Sequence, residues 1–142
     1  MAVNLKKNIF SIIDANVNRV KEGLRVVEDI ARFIYKDKKN SFHLKKTRHK
    51  INSILSKLAP SYSILLHSRD SVKDVGRKTK SKSELKRQSY SDIVISNFKR
   101  IQESLRVLEE ISKLLDKKSA LKFKDLRYEV YEIEKAMVLR SK

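Results

Sequence analysis

Thirteen residues near the beginning of the chain occur again near its end, and this repeat constrains the possible folds more than any other feature. Residues 16–28 read NVNRVKEGLRVVE and residues 97–109 read NFKRIQESLRVLE, so seven of thirteen positions are identical at an offset of 81. A second match relates residues 45–48 to residues 124–127 at an offset of 79. This agreement is far above chance for two unrelated helices, and we interpret it as an internal duplication.

The duplication and the composition together predict an all-α fold. A helical hairpin at about 12–55 should recur at about 93–135, and two such hairpins can pack about a pseudo-two-fold axis as a helical bundle. Only two glycines and one proline occur, whereas sheet proteins of this size need many turn residues. The length fits a single helical domain spanning 1–142. The lack of cysteine excludes disulfides, thiolate catalysis and cysteine-based metal sites.

Capping residues and breaks divide the first half of the chain into two helices. Ser11 followed by Asp14 predicts the start of a first helix that runs to about Lys36. Ser41 is the expected cap of a second helix. That helix should end before Pro60, because the residue before a proline disfavours the α conformation.

A short apolar segment and a polar loop separate the two halves. Residues 62–66 fit either an extended segment or a short helix, and residues 67–82 are polar and predict a loop. Ser81, with a glutamate three residues later, predicts the start of a third helical segment that extends to about Leu115. Ser119 is the expected cap of the last helix.

The net charge of +17 indicates an anionic partner, namely nucleic acid, a membrane surface or phosphorylated small molecules. An equally good interpretation is a lysine-rich surface without a binding role, because lysines are scattered through every segment. The apolar runs are too short for a membrane span, and the first residues do not resemble a signal peptide. We therefore expect a cytoplasmic protein.

The repeated residues occupy one side of a helical wheel. Asn16 and its equivalent Asn97 fall within the apolar face, Arg19 and Arg100 flank it, and Glu22 and Glu103 lie one step further round. In a structural interpretation the asparagines bridge helices and each arginine pairs with the glutamate three residues later. In a functional interpretation the same residues line a polar pocket. Gly23 and Ser104 are both small, which indicates a close approach of a helix or a ligand.

The central loop contains the other candidate constellation. Arg69, Asp70, Asp74 and Gly76 combine a cation, two carboxylates and a loop glycine, which could bind Mg²⁺ and phosphate. The alternative is an ordinary polar turn, in which aspartate and glycine are common. The segment is not a P-loop, because Ser71 stands where the first glycine should be and no strand precedes it. The three histidines have no metal-ligand spacing.

Six segments carry a resemblance to a known family. They are DANVNRVKEGLRVVEDIARF at 14–33, RH at 48–49, SRDSVKDVG at 68–76, NFKRIQESLRVLEE at 97–110, LRY at 126–128 and EK at 134–135. In this order they resemble the helical hydroxymethylpyrimidine phosphate kinase family, a domain often fused to the N-terminus of bacterial thiamine-phosphate synthase. The resemblance spans nearly the whole chain. Two positions depart from it, since Arg77 stands where we expect threonine and Ser96 where we expect alanine.

The resemblance implies a kinase of thiamine biosynthesis. Such an enzyme uses ATP as co-substrate and Mg²⁺ to convert hydroxymethylpyrimidine phosphate to the diphosphate. It also implies thiamine-phosphate synthase as a possible partner, while a homo-oligomer remains open. The chain cannot be that synthase by itself, because 142 residues without a strand pattern cannot form a (β/α)₈ barrel.

We assign expected roles within this kinase interpretation. The amides of Asn16 and Asn97 would hold the aminopyrimidine, and Gly76 would let the central loop close over the nucleotide. Residues of three further kinds complete the expected site. The phosphate ligands are Arg19, Arg100, Arg69 and, by a direct clamp, Arg77. The carboxylates that carry Mg²⁺ or position the attacking phosphate are Asp70 and Asp74. The carboxylates that bind metal or orient the arginines are Glu22 and Glu103.

Two other functions remain open. The first is a non-catalytic module that binds pyrimidine phosphate or docks onto thiamine-phosphate synthase and leaves ATP intact. The second is a basic helical nucleic-acid binder, although the repeat contains as many carboxylates as cations. Binding that weakens steeply with salt would favour nucleic acid.

Overall fold

The computed structural model describes residues 2–140, apart from the side chains of Ala2 and Ser83. Within this range the fold is all-α, without strands, as predicted. The helices are α1 (Ala2–Asp29), which continues into a π-helical turn (Ile30–Ile34), α2 (Lys38–Leu58), α3 (Tyr62–Ser68), α4 (Tyr90–Ser112) and α5 (Lys117–Arg140). A single 3₁₀ turn (Lys82–Leu85) interrupts the connection between α3 and α4.

The four long helices form a bundle in which α1 and α4, the helices that carry the repeat, lie against each other. Helix α1 also packs on α2, α4 packs on α5, and α2 packs on α5, while the short α3 lies against α1. The core between them is apolar and includes the fully buried side chains of Ile13, Leu24, Phe98, Ile101 and Phe123. The pseudo-two-fold axis remains a prediction. None of the helices in residues 2–140 is both long enough and apolar enough to cross a membrane.

Aspartates, not the serines expected from the sequence, cap α2 and α5. Asp37 Oδ1 accepts a hydrogen bond of 3.0 Å from the backbone N–H of Asn40, so α2 begins before Ser41. Asp116 Oδ1 lies 3.3 Å from the backbone nitrogen of Lys118 and plays the same part for α5. A carboxylate is at least as good an acceptor as a hydroxyl at this position. The two aspartates are 79 residues apart, the same offset as the second repeat match.

Two other predicted helix starts are wrong. Helix α1 is already helical at Ala2, and Ser11 lies inside it, with Oγ 2.6 Å from the carbonyl oxygen of Ser68. The third long helix does not begin at Ser81, where only the 3₁₀ turn forms. It begins at Tyr90, because Ser89 Oγ accepts a hydrogen bond of 3.1 Å from the backbone N–H of Asp92.

The predicted break at the proline is confirmed, because α2 ends at Leu58 and Ala59 is extended. The ambiguous apolar segment after it is helical and forms α3. The segment from Arg69 to Ser81, which follows α3, is irregular and largely exposed.

Candidate functional site

A cleft of about 500 Å³ lies in the groove between α1 and α4, and we call it the central cleft. Each helix contributes five lining residues, and each lining residue of α1 has its repeat equivalent, 81 positions later, among the lining residues of α4. The lining residues are Asn16, Arg19, Glu22, Gly23 and Val26 from α1, with Asn97, Arg100, Glu103, Ser104 and Val107 from α4. The repeated sequence and the cleft therefore coincide.

The two asparagines form the floor of the central cleft and are held by their own helices. Asn16 is buried, and its Nδ2 donates a 2.9 Å hydrogen bond to the carbonyl oxygen of Ile12. Asn97 makes the same bond to the carbonyl oxygen of Ile93 at 2.8 Å. They do not bridge the helices, contrary to the structural interpretation. Each amide uses one N–H in this bond and still has a second one to offer a ligand.

The charged side chains of the central cleft are not paired with each other. Arg19 and Arg100 are exposed, as are Glu22 and Glu103, and no ion pair within 4.0 Å joins them in the described part of the chain. Arg19 makes only a weak 3.4 Å contact, from Nη1 to Asn16 Oδ1. The surface pairs expected from the i,i+3 spacing do not form here, so two cations and two carboxylates face the cleft.

Close packing of α1 on α4 explains the glycine in the repeat. A Cβ added to Gly23 would lie 2.7 Å from Ile101 Cγ1 and 3.5 Å from the carbonyl oxygen of Asn97. The small residue is therefore required by a neighbouring helix, and the close approach forms one end of the cleft. Sequence reasoning did not place Val26 and Val107 in the cleft, although both belong to the identical positions of the repeat.

The glutamate and second arginine of each repeat have a structural role. Glu28 is buried and accepts a 3.3 Å bond from Arg48, while Arg25 lies 3.8 Å away. In the second half, Glu109 is equally buried and contacts both Arg127, at 3.0 Å, and Arg106. Each carboxylate thus ties the end of one helix of a hairpin to the other helix.

Arg69 connects the central loop to α1 and does not line the central cleft. Its Nε and Nη2 donate bonds of 2.7 and 2.8 Å to the two carboxylate oxygens of Asp14, which is buried. The hydrogen bonds and the charge of Asp14 raise the pKa of Arg69 above its ordinary value. A guanidinium held by two hydrogen bonds to one carboxylate in this way is an anchor for the loop. Its role as a phosphate ligand stays a prediction.

The other loop residues lie on the surface, outside the central cleft. Asp70 Oδ1 accepts a 3.1 Å bond from the backbone N–H of Lys73, and Asp74 Oδ1 accepts one of 2.9 Å from that of Gly76. Gly76 has no positive φ, and an added Cβ would only meet the Asp74 carboxylate at 3.4 Å. Arg77 is exposed. Each carboxylate stabilises its own turn, which is the ordinary role of aspartate in loops.

The described residues do not fit a resident magnesium ion. No three carboxylate or histidine side chains in residues 2–140 are grouped so that they could share a cation. Asp70 and Asp74 are exposed and occupied by the loop backbone. Their role as metal ligands remains a prediction.

Comparison with known proteins adds the family context. The model of the ThiD2 family matches residues 11–136. The chain is similar to proteins named thiamine-phosphate synthase. One such protein from Prochlorococcus marinus is 34% identical over 131 residues, which are 92% of this chain and 36% of the relative. That from Gloeobacter violaceus is 37% identical over 134 residues, or 94% of this chain and 38% of the relative.

The matched region is only a part of each relative. The protein from Rhodopirellula baltica is 34% identical over 94% of this chain, but the match covers 35% of the relative. The chain thus spans little more than a third of the length of these relatives, whose name describes the longer proteins. No solved structure matches the chain.

Proposed function

The chain belongs to the ThiD2 family, and on that premise we propose that its central cleft binds hydroxymethylpyrimidine phosphate as part of thiamine biosynthesis. The observation that carries the proposal is the lining of this cleft. All ten lining residues belong to the repeated segments, so the most strongly retained part of the duplication faces one pocket.

The chemistry of the lining suits a phosphorylated aminopyrimidine. A phosphate monoester carries about two negative charges at neutral pH, and Arg19 and Arg100 supply two cations. A guanidinium binds phosphate oxygens through paired hydrogen bonds. Amide groups can bond both the ring nitrogens and the exocyclic amine, and Glu22 or Glu103 can accept from that amine. Val26 and Val107 offer apolar surface to the ring.

The relatives' name supports a binding or docking role beside thiamine-phosphate synthase more directly than it supports a kinase. In that role the chain would hold the pyrimidine phosphate without changing it, and a synthase domain would act on a pyrimidine elsewhere. The part of each relative outside the match is large enough to carry that separate activity.

Phosphorylation is the second candidate, favoured by the two unpaired arginines of the central cleft. In this reaction an oxygen of the pyrimidine monophosphate attacks the γ-phosphorus of ATP. A new P–O–P bond forms, the bond to the β-phosphate oxygen breaks, and ADP leaves. Cations without carboxylate partners can stabilise the charge that spreads over the transferred phosphoryl group. Magnesium would enter with the nucleotide, as part of the substrate.

The proposal is tested first by binding. Isothermal titration with hydroxymethylpyrimidine phosphate should give one site per chain. Arg19→Gln and Arg100→Gln should each weaken binding by about tenfold or more, since a hydrogen bond to a charged group is worth about 1.5–3 kcal/mol. Lys135→Gln, which removes an exposed cation outside all the clefts, is the control. Equal affinity for all three variants and the wild type would refute the site.

Turnover separates the two candidates. Phosphorus NMR of the protein with the pyrimidine phosphate, ATP and Mg²⁺ would follow formation of the diphosphate and ADP. Product that disappears in the Arg19 and Arg100 variants would establish the kinase. Binding without product would establish the non-catalytic role, and neither binding nor product would refute the proposal.

A further inference from the structure

Two more clefts lie on opposite sides of the bundle, and their positions are equivalent in the two halves. The α1/α2 cleft, of about 540 Å³, is formed where the end of α1 meets the beginning of α2. The α4/α5 cleft, of about 730 Å³, is formed where the end of α4 meets the beginning of α5. Neither shares a residue with the central cleft.

Both clefts are strongly basic. The α1/α2 cleft has six cations against one carboxylate, and the α4/α5 cleft has five against one. The cations of the first are Arg25, Arg32, Lys36, Lys38, Lys45 and Arg48. Those of the second are Arg106, Lys113, Lys117, Lys124 and Arg127. Every cation of the second cleft stands 81 or 79 positions after one of the first, so the fold gathers scattered lysines into two matching sites.

The single carboxylate in each cleft is already used inside the protein. In the α4/α5 cleft, Glu109 holds Arg106 and Arg127, and the corresponding Glu28 holds Arg25 and Arg48. These contacts fix the guanidinium groups against the helices. The exposed lysines at the rim, such as Lys117 and Lys124, stay free to turn toward a ligand.

A second observation shows how closely the two sites correspond. The Nε atoms of Arg48 and Arg127 are buried and have no hydrogen-bond partner in residues 2–140. Buried donors are rarely left unpaired in native proteins. The same atom is unpaired in both halves, so the two arginines have the same local surroundings.

We propose that each outer cleft binds a chain of two or three linked phosphates. Six cations against Glu28 leave the first cleft with a net charge of +5, and five cations against Glu109 and the neighbouring Glu110 leave the second with +3. One monoester phosphate carries about two negative charges, so linked phosphates, which carry more, match both clefts better. Asp37 and Asp116 already cap the helices at the two clefts, so the lysine and arginine side chains, not the helix N-termini, would hold the anion. The central cleft balances its two cations with Glu22 and Glu103, so it attracts a chain of phosphates less strongly than the outer clefts do.

Nucleic acid fits these clefts less well. The cations of each half gather around one cleft of about 540 or 730 Å³, a size that suits a short phosphate chain, and competition with an oligonucleotide tests the longer ligand. Linked phosphates have two sources, a nucleotide or a free polyphosphate. Exposed Phe42 and Tyr128, one at each cleft, would add contacts to a nucleotide base.

Calorimetric titration of the wild-type chain with tripolyphosphate tests the proposal, and two bound ligands per chain are expected. The double variant Lys38→Gln/Lys45→Gln should lose one site, and Lys117→Gln/Lys124→Gln should lose the other, each by about tenfold or more in affinity. The matched control is Lys6→Gln/Lys135→Gln, which removes two exposed charges outside all the clefts. It should retain two sites.

The outcomes separate the sources and the alternatives. Tighter binding of ATP than of tripolyphosphate would identify a nucleotide, and equal binding would identify the phosphate chain alone. Equal losses in the control and the cleft variants would overturn the proposal, because attraction would then follow net charge only. Tighter binding of a single-stranded oligonucleotide than of tripolyphosphate would also overturn the proposal. So would loss of tripolyphosphate binding in the double variant Arg19→Gln/Arg100→Gln. The proposed function of the central cleft can fail without affecting these results.

Discussion

Replacing Glu109 by alanine should be far more damaging than replacing its neighbour Glu110, although both carboxylates contact Arg106. Only 5% of the Glu109 side chain is exposed, and its partner Arg127 is 12% exposed. The side chain of Glu110 is 47% exposed. Removing one member of a buried pair leaves an uncompensated buried charge, so Glu109→Ala should cost about 3–5 kcal/mol of the free energy of unfolding. Glu110→Ala should have little measurable effect.

Urea denaturation followed by circular dichroism would measure the difference, with thermal melts as a second method. The loss for Glu109→Ala corresponds to a decrease in Tm of roughly 10 °C for a domain of this size. The double variant Glu109→Ala/Arg127→Met should recover part of the loss, because it removes the unpaired cation as well. Equal Tm values for the Glu109 and Glu110 single variants would refute the argument that burial makes this ion pair important.

Three further predictions concern the fold. Gly23→Ala should gain about 1 kcal/mol of helix propensity, but the added methyl group overpacks the buried Ile101 at a cost of about 1–3 kcal/mol. Urea denaturation should therefore show net destabilisation, and a more stable variant would contradict the close contact. Ser89→Ala should cost about 1 kcal/mol at the start of α4, seen as a lower urea midpoint at unchanged slope. Burial raises the pKa of Asp37, but the hydrogen bonds from Asn40 and the charge of Arg140 outweigh it, so the pKa is lowered. The Asp37 carboxylate therefore stabilises the folded state above about pH 4, and this stabilisation is lost on further acidification. The stability difference between wild type and Asp37→Asn should therefore shrink in acid, and a constant difference would contradict this.

The fold class could be predicted because its signals are redundant along the chain. Scarce glycine and proline, helical periodicity and a repeat of a whole helix all indicate the same class. Helix starts were less predictable, because several polar residues near each start compete for the cap. At α2 and α5 an aspartate precedes the expected serine, and the carboxylate takes the backbone N–H bonds. The serine then lies within the first turns.

The polar and small residues of the central cleft could be named from the repeat, but neither its two valines nor the partners of its charged residues could. Spacing alone gives each Arg-x-x-Glu pair of the repeat the same chance of forming an ion pair. Tertiary packing decides otherwise, because Glu28 and Glu109 face a second helix that supplies another arginine, while Glu22 and Glu103 face the cleft. The α1/α2 and α4/α5 clefts could not be predicted from the sequence, since the cations of each come from two helices and are scattered along the chain.

An asymmetric ligand in a cleft with duplicated lining must use the two halves differently. Hydroxymethylpyrimidine phosphate has one phosphate and one amino group, so one repeat arginine would lie nearer the phosphate than the other. The two halves already differ in ways that would direct this choice. Asn16 is buried and contacts Arg19, whereas Asn97 is only half-buried, and Gly23 on one wall corresponds to Ser104, with its hydroxyl, on the other. We therefore expect the ligand to have one preferred orientation, in which Arg19→Gln and Arg100→Gln both weaken binding but to different extents.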